Sequence, residues 1–169
     1  AFLAITKSDT FLTSFNLSNV LRQNSFTVIL ACGMTLTILT AGIDLSVGSM
    51  MALTNVAAAA MMKGAGEEFG IVAVILTLLL GLLLGAINGG LVVLTKVPDI
   101  VVTLAMSFVW AGAALLVLNT PGGGAATWLK QLPSGGLFTG WVPKALVLLL
   151  IAVGIIWIPL RRSRPGLAI

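Results

Sequence analysis

The sequence predicts an all-α membrane protein, a bundle of about five transmembrane helices with a broken or tightly turned segment near residues 42–48. Apolar residues make up 59% of the 169 residues and charged residues only 8%, whereas soluble domains average about 45–50% and about 25%. The apolar residues form long runs, and Gly and Pro concentrate between these runs. A chain this poor in charge cannot cover a globule with polar surface, so we expect membrane lipid around it.

Five apolar runs are candidate spans, because about 20 helical residues at about 1.5 Å per residue cross a hydrocarbon layer of ~30 Å. They cover residues 25–41, 45–62, 71–94, 100–118 and 145–160. Only Gly42, Ile43 and Asp44 separate the first two runs. These two runs therefore form either separate spans joined by a tight turn inside the membrane or one broken helix.

A basic cluster predicts which side of the membrane each loop occupies. Arg161, Arg162 and Arg164 directly follow the last span, and such clusters lie in the cytoplasm and anchor the chain there. Alternation then places the Gly- and Pro-rich loop 119–144 on the outer, periplasmic side. Arg22 lies outside if the first two runs are separate spans and inside if they form one broken helix, and the residues alone leave both open.

The composition excludes several classes of function. The chain has no His and no Tyr, and its one cysteine, Cys32, lies in an apolar run, so we expect no metal, no cofactor and no catalytic residue. The Gly-x-x-x-x-Gly-Lys-Ser/Thr motif of ATP-binding P-loops does not occur in it. The net charge is +4, but the cations form no basic helix face, so no nucleic-acid partner is expected. We therefore predict a protein that is not an enzyme.

Asp44 is the polar residue that most requires an explanation, since a carboxyl group at membrane depth costs roughly 2.5–3.5 kcal/mol on insertion scales. Gly42 and Gly48 allow sharp backbone turns near it, and the side chains of Asp44 and Ser46 accept hydrogen bonds from freed amides. We predict that Asp44 is the N-cap of the second helix. The same role fits a discontinuous helix that lines a polar pathway.

A helix that follows Asp44 places Gly48 and Asn55 near the same face as Asp44, at about 100° per residue. The result is a partly polar stripe. Such a stripe lines either a pore or a packed seam between helices.

The third and fourth runs carry small and polar residues at helical spacing. Gly81, Gly85 and Gly89 repeat every four residues, a pattern typical of closely packed membrane helices. Asn88 on the third run serves either an interhelical hydrogen bond or the lining of a pathway, with equal support for both. Thr103 lies one turn before Ser107, and we expect both hydroxyls to bond to carbonyl groups of their own helix.

Four ordered motifs carry a resemblance to a known family. They are GMTLTILTAGIDLSVGS at 33–49, FNLSNVLRQ at 15–23, GAINGGL at 85–91 and KVPDIVVTL at 96–104. The chain resembles the permease subunits of bacterial ABC importers for sugars, of the ribose, xylose, arabinose and galactoside type, which are allied to branched-chain amino acid permeases. Asp99 departs from the family pattern, which commonly has Pro or Ala followed by Phe in that turn.

The resemblance implies an importer in the bacterial inner membrane that moves a sugar or a related small polar solute into the cytoplasm. It implies a second permease subunit, identical or different, a cytoplasmic ABC ATPase and a periplasmic solute-binding protein as partners. It favours two separate spans around Asp44, with Arg22 outside. It also makes the chain a fragment of the N-terminal half, in which residues 161–169 begin the cytoplasmic segment that leads to the ATPase.

Within this interpretation, some polar residues are expected to shape the substrate pathway or its broken helix. They are Gly42, Asp44, Ser46, Gly48, Asn55, Asn88 and Thr103. Two other interpretations stay open at this point. One is a membrane scaffold that transports nothing and whose small-residue faces only assemble partners, and the other is an amino acid permease of the allied family.

Overall fold

The computed structural model of the chain describes residues 11, 13–39, 42–120, 122–132, 136–137 and 142–162. Its helices are α1 (Ser14–Leu39), α2 (Val47–Met61), α3 (Phe69–Thr95), α4 (Asp99–Val117), α5 (Thr127–Gln131) and α6 (Lys144–Arg162). Two strands of two residues each, β1 (Gly136–Leu137) and β2 (Val142–Pro143), lie between α5 and α6. The chain divides into two compact units, one of Ala1–Leu39 and Lys130–Ile169 and one of Thr40–Leu129.

The first unit consists of α1 packed against α6, with β2 in contact with both helices. The strands pair antiparallel, with Gly136 opposite Pro143 and Leu137 opposite Val142. Thr13 directly precedes α1, and its hydroxyl oxygen accepts a hydrogen bond from the backbone N–H of Asn16 at 3.3 Å, as the side chain of an N-cap residue does. This cap explains why α1 begins well before the predicted span 25–41.

The second unit consists of α2 packed against both α3 and α4. Leu53, Leu84 and Ala114 form its buried centre, one residue from each helix, and Trp110 packs against this cluster. The connection between α3 and α4 is short because Lys96 caps α3 in the left-handed conformation, with φ of 56°. Pro98 then precedes α4 as its N-cap, where the missing N–H of proline costs no helical hydrogen bond.

Helices α3 and α4 are long and apolar enough to cross a membrane, with 27 and 19 residues. Only 17% of the most apolar window of each helix is buried, and Leu94 and Leu116 are 82% and 87% exposed. Core helices of soluble proteins are mostly buried, whereas lipid accepts such apolar surface without cost. Among the described residues, α2 and the stretch Leu146–Ile155 of α6 are shorter apolar helices.

The observed helices can be set beside the five predicted spans. Helix α2 is 15 residues long, and α3 and α4 lie within two residues of the predicted runs 71–94 and 100–118 at each end. The loop predicted at 119–144 contains α5, β1 and β2. Its high content of Gly and Pro gave no indication of these short elements. The number of membrane spans stays a prediction.

Candidate functional site

The chain is non-helical from residue 42 to residue 46, directly before α2. Two backbone N–H groups of this segment donate to side chains of α4. The N–H of Ile43 donates to the Asp99 carboxylate, and the N–H of Leu45 donates to the Thr103 hydroxyl oxygen at 3.1 Å. Non-helical backbone has no helical carbonyl groups to accept its N–H groups, so side chains serve as acceptors here.

A chain of side-chain hydrogen bonds joins the same segment to α3 and α4. The Trp110 indole N–H donates to Asn88 Oδ1 at 3.2 Å, and Asn88 Nδ2 donates to Ser46 Oγ at 2.6 Å. The Ser46 hydroxyl donates in turn to Asp44 Oδ1 at 2.6 Å. Every donor in this chain points towards the Asp44 carboxylate, so each bond polarises the next one in the same direction.

The N-cap of α2 is Ser46, and the prediction that Asp44 is the N-cap is therefore wrong by two residues. Asp44 instead accepts the backbone N–H of Ser46 at 2.8 Å together with its hydroxyl proton, and so closes a local turn before the helix begins. Gly48 is a helical residue of α2 and makes none of the sharp turn expected there.

Three of these polar side chains are buried. Ser46 is fully buried, and Asn88 and Thr103 are each 4% exposed. Asp44 is half-buried. Because a buried polar group without a partner costs about 1–3 kcal/mol, the bonds mainly remove a penalty. Their geometry therefore fixes where the non-helical segment lies.

We call the segment 42–46 and the side chains bound to it the polar junction. Its side chains are Asp44, Ser46, Asn88, Asp99, Thr103 and Trp110. The sequence had singled out four of them as pathway residues, together with Gly42 at the start of the segment. Asn88 makes interhelical hydrogen bonds, which was one of its two interpretations.

Sequence reasoning missed Asp99 and Trp110 as members of the junction. Asp99 was assigned only to the turn between two spans, yet it is the first residue of α4 and its carboxylate reaches back to Ile43. The signal for Trp110 was an indole N–H within an apolar helix, which needs an acceptor when buried. Asn88 was the obvious acceptor on the neighbouring run.

Other predicted residues lie outside the junction. Asn55 and Gly48 are exposed on α2. A Cβ atom on Gly81 or Gly85 would lie 3.9 Å from Thr54 or Met50 of α2, so both face that helix, whereas a Cβ on Gly89 would meet nothing within 4 Å. The hydroxyls of Thr103 and Ser107 donate to carbonyl groups of α4, as expected.

The basic cluster falls at the edge of the described part of the chain. Arg161 and Arg162 are the last two residues of α6, and Arg164 lies outside the described residues. Their role as a cytoplasmic anchor stays a prediction.

A second contact lies at the other end of α2, and we call it the glycine cap. It is formed by residues 122–129 against Ala59, Met62 and the turn that contains Glu67. The N–H of Gly124 donates to the Ala59 carbonyl at 2.8 Å, and a Cβ on Gly124 would lie 2.6 Å from the Met62 carbonyl oxygen. Gly123 has φ of +118°, which side chains rarely allow.

A carboxylate completes the glycine cap. Glu67 accepts the backbone N–H of Thr127 at 2.9 Å and its hydroxyl proton at 2.6 Å, so it caps α5 from a different turn of the chain. The indole N–H of Trp128 donates to the Glu67 carbonyl at 3.4 Å. This contact fixes the first part of the predicted outer loop to the turn between α2 and α3.

The chemistry available in these two contacts is that of binding and positioning. The described residues hold no group of three or more His, Cys, Asp or Glu side chains that would bind a metal ion. The polar junction offers hydrogen-bond donors and acceptors inside an otherwise apolar unit.

Comparison with known proteins now adds to this geometry. The family described as the branched-chain amino acid transport system permease component matches residues 16–169. The chain belongs to this permease family. The permease chain is 40% identical to the xylose transport system permease protein XylH of Escherichia coli (strain K12) over 154 residues, which are 88% of the chain and 38% of that relative.

The permease chain is also similar to ribose permeases. It is 43% identical to the ribose import permease protein RbsC of Escherichia coli (strain K12) over 114 residues, or 68% of the chain and 35% of the relative. RbsC of Haemophilus influenzae is 42% identical over 106 residues, or 63% of the chain and 32% of that relative. No solved structure is significantly similar to the permease chain.

These matches confirm the resemblance that the four motifs carried, and they confirm the fold class as an all-α membrane protein. The permease chain spans well under two thirds of these relatives, with 38% of XylH and 35% of RbsC. The polar junction lies within the matched region, residues 16–169.

Proposed function

We propose that the chain is part of the permease subunit of an ABC importer that carries a sugar or a related small polar solute into the cytoplasm. The observation that carries the proposal is the polar junction, in which buried Ser46 and Asn88 hold a non-helical segment against apolar helices. Discontinuous helices of this kind form substrate sites in many transporters, since freed backbone groups face the pathway there. The relatives named for xylose transport and ribose import support a sugar.

A sugar fits the chemistry of the junction. Sugars carry hydroxyl groups rather than charge, so a pathway for them needs only a few hydrogen-bonding groups. The half-buried carboxylate of Asp44 and the backbone of residues 42–46 supply such groups at one place. We assign Gly42, Asp44 and Ser46 to the pathway or its broken helix, with Asn88 and Thr103 behind them.

The proposed surroundings are the inner membrane of a bacterium, which the chain crosses several times. Residues 161–169 begin the cytoplasmic segment, and residues 119–144 face the periplasm. The glycine cap supports this arrangement, because it joins residues 122–129 to the turn between α2 and α3, and alternation places both on the same side.

The mechanism requires no covalent step in this chain. A second permease subunit completes the pathway, a periplasmic binding protein delivers the solute, and a cytoplasmic ATPase supplies the energy. ATP binding and hydrolysis shift the permease between outward-open and inward-open states, and the solute follows because the two states differ in affinity for it.

Reconstitution of the full-length permease tests this function. The permease, its ATPase and its binding protein are placed in liposomes, and uptake of labelled D-xylose, D-ribose and L-leucine is measured with and without ATP. We expect uptake of a sugar that requires ATP and the binding protein, and loaded binding protein should raise the rate of ATP hydrolysis. Uptake that continues without the ATPase contradicts the mechanism, and uptake of leucine alone favours the amino acid permease.

Replacement of Asp44 tests the role of the junction in this transport. Asp44→Ala removes the acceptor of two hydrogen bonds from Ser46, so we expect both the yield of folded protein and the uptake to fall. Glu68→Ala, at an exposed residue outside the junction, is the control. A variant Asp44→Ala that folds in normal yield but transports nothing would assign Asp44 a direct contact with the solute instead.

A further inference from the structure

The first turn of α4 carries two side-chain acceptors at matching spacing. Asp99 and Thr103 are four residues apart, so they lie one above the other on one face of the helix. They accept the N–H groups of Ile43 and Leu45, which are two residues apart. Both N–H groups belong to the non-helical segment 42–46, so neither has an acceptor within a helix of its own.

The hydroxyl of Thr103 is oriented for this role by its own helix. It has one proton, and its shortest bond as a donor goes to the Asp99 carbonyl at 2.8 Å, while the Ile43 carbonyl lies at 3.3 Å. Because the hydroxyl donates its proton to the hydrogen bond with the Asp99 carbonyl, the lone pairs of the hydroxyl oxygen remain free to accept the Leu45 N–H. Thr103 is 4% exposed, so water does not compete for this bond.

We infer that Asp99 and Thr103 are positioning residues, which hold residues 42–46 against the first turn of α4 by accepting alternate backbone N–H groups and so set the shape of the substrate pathway. This inference rests on the proposed function. The rest of the junction holds the same segment through Ser46, on the side of α3. Segment 42–46 is therefore held at two places. Side chains of α4 bind its backbone N–H groups, and Asn88 of α3 binds the Ser46 side chain.

This role predicts that a movement of the first turn of α4 moves the segment with it. Asp99 begins α4 directly after the short turn at 96–98, so a displacement of that turn reaches Ile43 through one hydrogen bond. A displacement of a helix end is one of the movements by which proteins switch between states.

Hydrogen exchange at residues 43 and 45 tests the contact itself. The full-length permease, assembled with its ATPase in lipid nanodiscs, is compared as wild type, Thr103→Val and Thr103→Ser. Valine matches the shape of threonine but accepts no hydrogen bond, so exchange of the Leu45 amide should become about fivefold faster, and serine should restore the slow rate. Thr77→Val is the matched control, because its hydroxyl bonds only to the Ala73 carbonyl of its own helix.

The same comparison is made at Asp99. Asp99→Asn keeps a carbonyl oxygen in place and should leave the Ile43 amide nearly as slow as in the wild type, whereas Asp99→Leu should speed its exchange about fivefold. Unchanged exchange in both Thr103→Val and Asp99→Leu would overturn the assignment.

Transport gives the functional readout. In liposomes with the ATPase and binding protein, Thr103→Val and Asp99→Leu should lower the maximal uptake rate about fivefold while the binding-protein concentration at half-maximal rate stays the same. Thr103→Ser should restore most of the uptake that Thr103→Val loses, and Thr77→Val should transport like the wild type. Faster exchange with unchanged uptake would overturn the claim that this contact shapes the pathway.

The two proposals fail in different ways. Wild-type permease that takes up no sugar would contradict the proposed function. The exchange measurement needs no solute, so it still decides whether Asp99 and Thr103 position the segment.

Discussion

The two ends of α2 are held by different means. Directly before its first residue, the polar junction attaches the chain through hydrogen bonds of Ser46 and Leu45 with the side chains of Asn88 and Thr103. At its last residues, the glycine cap places backbone directly against backbone, with Gly124 bonded to the Ala59 carbonyl. Polar side chains therefore hold the first end, whereas at the second end the lack of side chains on Gly123 and Gly124 also lets backbone approach backbone.

This difference determines how each end of α2 responds when it is displaced from its contacts. Hydrogen bonds between membrane helices are worth about 0.6 kcal/mol on average, so the junction can exchange one hydrogen-bond partner for another at low cost as long as each buried group keeps a partner. Steric exclusion rises steeply with displacement, so the glycine cap holds its arrangement or loses it altogether. The junction therefore tolerates a displacement of its helices better than the glycine cap does.

The largest effect is expected at the glycine cap. Gly124→Ala would place Cβ 2.6 Å from the Met62 carbonyl oxygen, which is backbone and cannot turn away. We expect a loss of about 3 kcal/mol in stability, seen as a lower midpoint of thermal unfolding in detergent. Gly122→Ala is the control, because its nearest neighbours would lie at 4.0 Å. Equal midpoints for the two variants would show that the close approach of Gly124 to Met62 does not make this end of α2 sensitive to an added side chain.

The next effect is expected at the polar junction. Asn88→Leu takes the acceptor from the Trp110 indole and the donor from Ser46, and it should cost about 2 kcal/mol, because a partly buried N–H and the buried Ser46 hydroxyl each lose a partner. Trp110→Phe removes that N–H, so the double variant should cost less than the sum of the single variants. Thermal unfolding of all four proteins measures this coupling. Strictly additive costs would show that the two residues do not interact.

A smaller effect is expected at the exposed part of the glycine cap. Glu67→Ala removes the carboxylate that caps α5 at Thr127, and helix caps are typically worth about 1 kcal/mol. Glu68→Ala changes the neighbouring carboxylate, which makes no capping bond to α3. The midpoint of thermal unfolding should fall for the first variant only. An equal fall in both would assign the effect to charge rather than to the cap.

The smallest effect is expected at the turn beside the junction. Lys96 adopts φ of 56°, a conformation that favours glycine. Lys96→Gly should raise stability by about 0.5 kcal/mol, since the relief of backbone strain exceeds the added entropy of the unfolded chain. The midpoint of thermal unfolding measures the gain, with Lys63→Gly as the control for loss of a lysine. A lower midpoint for Lys96→Gly would contradict it.

Some members of the site could be predicted from the sequence because lipid penalises them. Asn88 lies in an apolar run and Asp44 lies between two runs that nearly touch, where a polar group without a partner is costly, so each required an explanation before any contact was known. The partners could not be predicted in the same way. Asp99, which accepts the Ile43 N–H, lies 56 residues further along the chain, and Thr103, which accepts the Leu45 N–H, lies 58 residues further along.

The sequence by itself determined the apolar helices and the polar residues within them, since length and composition decide what a membrane accepts. Only the tertiary structure decided that Ser46 rather than Asp44 caps α2 and that Asp99 and Trp110 belong to the junction. It also decided that Gly124 lies against Met62, a contact that no local pattern marks. The physical reason is that each of these contacts depends on which helices pack together, and packing is set by the whole unit rather than by any one run of residues.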